Sequence, residues 1–99
     1  MKIGSTFQKT GDMRFVSHLD LMRLFQRALR RADLPVTITQ GFSPRLKISI
    51  NRALKLGVES LDESLTVHMS TRVEPALFTE LLNKNLPDGV KIAGAQEIG

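Results

Sequence analysis

Between Lys2 and Lys9 the chain alternates, with Ile3, Ser5 and Phe7 on one side and Lys2, Gly4, Thr6 and Gln8 on the other, the two-residue period of a half-buried strand. Thr10-Gly11-Asp12 reads as a turn or bulge, after which Met13-Arg14-Phe15-Val16 either prolongs the strand or forms a short hairpin with it. From Ser17 the period changes. Ser17-His18-Leu19-Asp20 is an S-x-x-D helix start, in which a hydroxyl and a carboxylate can satisfy N–H groups that a first turn leaves without partners. At about 100° per residue, Leu21, Phe25, Ala28, Leu29 and Ala32 collect on one face of a helix over 18–32, with Met22 at its margin. Asp20, Arg23, Arg27, Arg30 and Arg31 collect on the other. Asp33-Leu34-Pro35 ends the helix, because the residue before a proline is pushed out of the α region and the ring lacks a donor.

Val36 and Ile38 suggest a short strand, and Gln40-Gly41-Phe42-Ser43-Pro44-Arg45 is a loop rich in turn formers. Leu46–Ile50 alternates with apolar even positions, and Leu65, Val67 and Met69 repeat the pattern after a connection over 56–62. Pro75 follows Glu74 as an N1 residue would, and Leu77, Phe78, Leu81 and Leu82 have the spacing of one buried helical stripe. Leu86-Pro87-Asp88-Gly89 stops that helix, and Val90 and Ile92 begin a last strand. The order βαββαβ predicts an α+β, ferredoxin-like domain, an antiparallel sheet with two helices on one face and room for an extra short strand at 36–39. Its other face is left open, carrying Lys2, Thr6, Gln8, Lys47, Ser49, Thr66 and His68. Phe7, Phe15, Phe25 and Phe78 fall at core-like positions, and Phe42 falls in the loop.

Composition narrows the picture. Ninety-nine residues, 41% hydrophobic and 24% charged, suit one globular core. No apolar run reaches the roughly 18–20 residues that span a bilayer and no signal-peptide pattern opens the chain, so no membrane association and a cytoplasmic setting are expected. The absence of cysteine excludes disulfides, thiolate zinc sites, a Cys nucleophile and a Cys-held iron–sulfur cluster. The net charge of +4 is unevenly spread: residues 1–50 hold nine basic and three acidic side chains, residues 51–99 five and seven. A basic half suits an anionic partner such as nucleic acid, and it equally suits a solvated charged surface.

Catalytic and metal chemistry find little support. His18 and Asp20 point about 200° apart on a helix and cannot chelate one ion, and two histidines without cysteine seldom make a closed metal site. The glycines are scattered singly, so no phosphate-cradling loop of the usual kinds is present. No nucleophile, base and oxyanion set is recognisable. Neither catalytic residues nor a cofactor of its own are therefore expected. The densest charge feature is the Arg23/Arg27/Arg30/Arg31 face, read either as a solubilising helix surface or as a phosphate-contacting one, since guanidinium forks suit phosphate oxygens. The aromatic strand signature of an RRM is absent.

The run Lys9-Thr-Gly-Asp-Met-Arg-Phe-Val-Ser-His-Leu-Asp-Leu-Met-Arg23, with Arg27-Ala-Leu-Arg-Arg-Ala32 and Gln40-Gly-Phe-Ser-Pro-Arg-Leu-Lys-Ile-Ser49, closely resembles the start of the radical-SAM-linked family, a bacterial domain of unknown function. Members are encoded beside, or fused to, a radical SAM protein, which implies that protein as a partner and leaves the radical chemistry to it. The family is expected to be about twice this long, so residues 1–99 would be its N-terminal part. The resemblance points to Arg14, Ser17, His18, Asp20, Gln40, Gly41, Phe42, Pro44, Arg45 and Lys47, to which the charge pattern adds Arg23, Arg27 and Arg30. The leading expectation is a non-catalytic accessory domain that binds a structured RNA, with tRNA and rRNA as candidates. The alternatives are a docking module for the radical SAM partner and an endoribonuclease using His18 beside Arg14 and Arg45. A fold-back of the 36–39 segment is expected to return the Gly41–Arg45 loop towards His18.

Overall fold

A computed structural model describes residues 1–52 and 55–99. Among these, β1 (Lys2–Lys9), α1 (His18–Arg31), β2 (Ile48–Ile50), β3 (Ser60–His68), α2 (Pro75–Asn83) and β4 (Val90–Glu97) follow in that order. The strands form one antiparallel sheet in the order β2-β3-β1-β4, and the whole is the expected α+β, ferredoxin-like arrangement. The alternation of β1 sends Ile3, Ser5, Phe7 and Lys9 to the buried side. Ile3 and Phe7, with Leu65 and Val67 of β3 and Ile92 of β4, meet Leu21, Phe25 and Leu29 of α1 and Phe78 and Leu82 of α2 in a core closed to solvent. Phe7 and Phe25 pack edge to face with centroids 5.1 Å apart, an arrangement favoured by the ring quadrupoles.

Each helix also ties down a strand near one edge of the sheet. Gln26 of α1 donates through Nε2 to the Leu46 carbonyl at 2.8 Å and accepts from the Leu46 N–H at 3.0 Å. Asn83 of α2 makes the same double bond to Ile92, at 3.1 and 2.8 Å. Free strand edges invite pairing with other chains, and a side-chain amide that occupies both backbone groups of one residue blunts them. Gln26→Ala is expected to cost about 1–3 kcal/mol, because the buried Leu46 loses both partners at once. The midpoint of urea unfolding reads that change.

Several elements differ from the sequence pattern. Residues 11–15 are a 3-10 helix, not a strand. Both edges of β1 are already occupied, by β3 and β4, so a strand over 13–16 would have nothing to pair with. Phe15 is consequently 56% exposed instead of buried, with the Arg14 guanidinium 4.3 Å over its ring. Leu77 is 46% exposed, since Phe78 and Leu82 alone form the fully buried stripe of the short α2. β3 begins at Ser60, inside the stretch read as a connection. The 36–39 segment makes two isolated bridges, Val36 to Met69 and Ile38 to Leu46. That second bridge shortens β2 to three residues, because Leu46 and Lys47 turn back on Ile38 and Thr37. The helix stop lies earlier than Pro35: Asp33 takes φ of 56°, and the Leu34 N–H returns to the Leu29 carbonyl at 3.4 Å.

Candidate functional site

Ser17 caps α1 as its motif requires, its Oγ accepting from the Asp20 N–H at 3.1 Å. The Asp20 carboxylate instead lies 3.5 Å from Arg23. Fourteen residues make α1 about 21 Å long, and along it Arg23, Arg27, Arg30 and Arg31 are exposed. Arg30 and Arg31 occupy the last turn, where positive charge complements the helix dipole. Among the described residues Arg27, Arg30 and Arg31 have no carboxylate partner. A groove of about 380 Å³ runs between α1 and the chain leaving α2, with Arg27, Arg31, Lys84 and Asn85 around Leu24 and Leu86. Three cations therefore share one cleft, of which Lys84 alone has an acidic neighbour, Glu80 at 3.6 Å.

The remaining sequence-predicted residues fall into two further groups. At the start of α1, Arg14 donates to the Gly11 carbonyl at 2.8 Å and holds the 3-10 turn closed. His18 is half-buried, and its Nδ1 is enclosed without a hydrogen-bond partner among the described residues. Gln40–Arg45 caps a hairpin in which the Thr39 N–H donates to the Arg45 carbonyl at 2.7 Å and the Arg45 N–H to Thr39 Oγ1 at 3.2 Å. Every residue from Gln40 to Arg45 is exposed, and Phe42 fully so. Lys47 leaves the hairpin exposed, next to β3. Contact between hairpin and helix is made at Gln26, eight residues beyond His18 and about 12 Å along the axis. Among the described residues no hydrogen bond or ion pair joins 40–45 to 14–20.

A buried ionic cluster lies outside the sequence-predicted residues. Lys9 is 0% exposed and donates through Nζ to the Val16 carbonyl at 2.6 Å, fastening the entry to α1 onto β1. Glu63 is 2% exposed and accepts two bonds from Arg52, from Nε at 3.1 Å and Nη2 at 3.0 Å, and another from the Ser60 hydroxyl. The two-residue period was the available signal. Lys9 continues the Ile3-Ser5-Phe7 side of β1 and Glu63 the Leu65-Val67-Met69 side of β3, so opposite charges arrive on the core face.

Burial pushes Lys9 down, an effect that the nearby Glu63 opposes. The Arg52 hydrogen bonds hold the Glu63 carboxyl below the usual carboxylate range. His68, on the other face, is pushed down by burial first and then by Lys47, Lys2 and the Met1 amine. For both Glu63 and His68 the unfolded chain binds the proton more readily, so stability falls as pH falls. Acidification is therefore expected to lower the urea midpoint in two stages, one below about pH 6.5 from His68 and one below about pH 4.3 from Glu63. His68→Gln should remove the first stage and leave the second.

Among the described residues no three His, Cys, Asp or Glu side chains converge on a point, and no helix is long and apolar enough to cross a membrane. No curated protein matches the chain. The motifs of residues 9–50 fall inside a family match covering residues 2–99, and the chain belongs to the family described as uncharacterized proteins conserved in bacteria (DUF2344).

Proposed function

We propose that this domain is a non-catalytic, RNA-binding accessory unit of a radical SAM enzyme, acting in the cytoplasm on a structured RNA such as a tRNA or an rRNA segment. The observation that carries this reading is the outer face of α1, where Arg27, Arg30 and Arg31 stand exposed with no carboxylate partner among the described residues and two of them share a groove with Lys84. Cations grouped without counter-charges repel one another, and a phosphate backbone relieves that repulsion while releasing its own counterions. Planar guanidinium forks meet phosphate oxygens in pairs, which fixes orientation without selecting a base sequence. The radical chemistry is the partner's, because this chain has no thiolate with which to hold an iron–sulfur cluster.

Fluorescence anisotropy with labelled tRNA tests the reading. Binding is expected at about 50 mM salt, weakening at least tenfold at about 200 mM, as phosphate contacts require. Failure to bind any tRNA or rRNA fragment at the lower salt would refute it. A docking role for the hairpin is the second reading, favoured by the fully exposed Phe42 at its tip. It expects nuclease-treated radical SAM partner to be retained by the wild-type chain and lost with Phe42→Ser.

A further inference from the structure

The side of the sheet turned away from α1 and α2 holds a trough of about 460 Å³, a size at which small-ligand sites occur. Its floor is formed where three strands run side by side. Gly4 of β1 lies opposite Thr66 of β3 and Gln96 of β4, and Thr6 lies opposite Ser64 and Gly94. Two of these floor positions lack side chains, for different reasons. A Cβ on Gly4 would come within 2.9 Å of Ile98 Cγ2, so packing accounts for that glycine. At Gly94 a Cβ would meet nothing within 4 Å, and its φ lies outside the left-handed region. Glycine inside a strand weakens it, and a recurring compensation is the close approach of a ligand.

Positive charge gathers at one end of this trough. Lys2 pairs directly across from His68, and the Lys47 carbonyl accepts the His68 N–H at 3.0 Å, so three basic side chains border one spot. None of them has a carboxylate partner among the described residues. The downward push on His68 from Lys47 and Lys2 reflects the same crowding.

We propose that this open face holds a single-stranded segment of RNA, with one phosphate at Lys2 and Lys47 and the adjoining ribose and base in the trough above Gly94. Ammonium groups serve phosphate as point charges. Thr6, Thr66, Asn51 and Gln96 offer the hydroxyls and amides that exchange hydrogen bonds with a 2′-OH and with base edges. Among the described residues no aromatic side chain lines the trough, so affinity comes from charge and hydrogen bonds rather than stacking. The inference takes RNA as ligand from the reading above and adds a second surface, on the layer opposite the α1 arginines.

The test is anisotropy with a labelled, unstructured eight-nucleotide RNA. Gly94→Leu fills the trough at a position with open space, and it is expected to weaken binding at least tenfold with unchanged circular dichroism and urea midpoint. Lys2→Gln/Lys47→Gln should weaken it as much and flatten the salt slope by about 0.7, the share of one phosphate contact on a single strand. Arg27→Gln/Arg31→Gln, on the opposite layer, should weaken tRNA binding by a larger factor than oligomer binding. Wild-type affinity in both sheet-face variants would overturn the proposal. So would a wild-type chain that binds tRNA but not the oligomer, a result that leaves the RNA reading standing. Oligomer binding lost only in the sheet-face variants, with tRNA indifferent to the arginine substitutions, would support the proposal and count against the α1 surface alone.

Discussion

Replacing Glu63 with alanine is expected to lower folding stability by about 3–5 kcal/mol, the range for leaving a buried charge uncompensated. The damage falls on Lys9. Its ammonium is fully enclosed, and without Glu63 the positive charge keeps its desolvation cost and loses its nearest opposing charge. Domains of this size are stable by about 5–15 kcal/mol, so the substitution removes a large share, and Tm should fall by more than about 12 °C at 4–8 °C per kcal/mol. Arg52→Ala should also destabilise, because the buried Glu63 carboxylate loses both guanidinium hydrogen bonds and keeps the one from Ser60, a cost of about 1–3 kcal/mol for a buried acceptor. The paired change Lys9→Met/Glu63→Leu separates this explanation from a simple loss of packing. Removing both charges together is expected to recover most of the stability. A double variant as unstable as Glu63→Ala would show that the buried charges are not what matters.

Replacing Arg23, Arg27 and Arg30 together with glutamine is expected to weaken tRNA binding by 100-fold or more at about 50 mM salt. Each phosphate contact contributes about 0.9 to the salt slope on a duplex, so the slope should drop by between two and three. The fold should tolerate the change: Arg23 is paired only to an exposed Asp20 at 3.5 Å, and Arg27 and Arg30 have no ion-pair partner among the described residues. Circular dichroism and the urea midpoint check that tolerance. A weaker effect with an unchanged slope would place the RNA elsewhere.

The two long periodic stretches were legible because one face of each is buried. β1 and α1 are set by local alternation and by the Ser17 cap, and the observed α1 ends one residue before the predicted one. What the pattern could not show depends on neighbours distant in sequence. Met13–Val16 has strand-like composition, but β3 and β4 take both edges of β1 and leave it to coil into a 3-10 turn. Gly89, which by sequence only helps to stop α2, sits at φ 94° with its carbonyl on the Thr10 N–H, where a Cβ would come within 2.6 Å of the Thr10 oxygen. Lys9 and Glu63 keep strand parity yet are charged, so the pattern reads as ending just where it carries two buried charges.

The site was legible in part. The arginine stripe of α1 follows from helical spacing alone, but its groove needs Lys84, which arrives 57 residues after Arg27. The hairpin with Phe42 and the helix start with His18 share the family resemblance without sharing a hydrogen bond, because the hairpin is anchored at Gln26. Resemblance marks positions under a common constraint, and that constraint need not be a common pocket.

The most direct measurement is a map of backbone amide shifts as unlabelled tRNA is added to the isotopically labelled chain. The largest changes are expected along the outer face of α1 at Arg23, Arg27, Arg30 and Arg31 and across the groove at Lys84 and Asn85, with the changes reversed by added salt. Shifts confined to the Gln40–Arg45 hairpin, or an unchanged spectrum at saturating tRNA, would contradict RNA binding through this face.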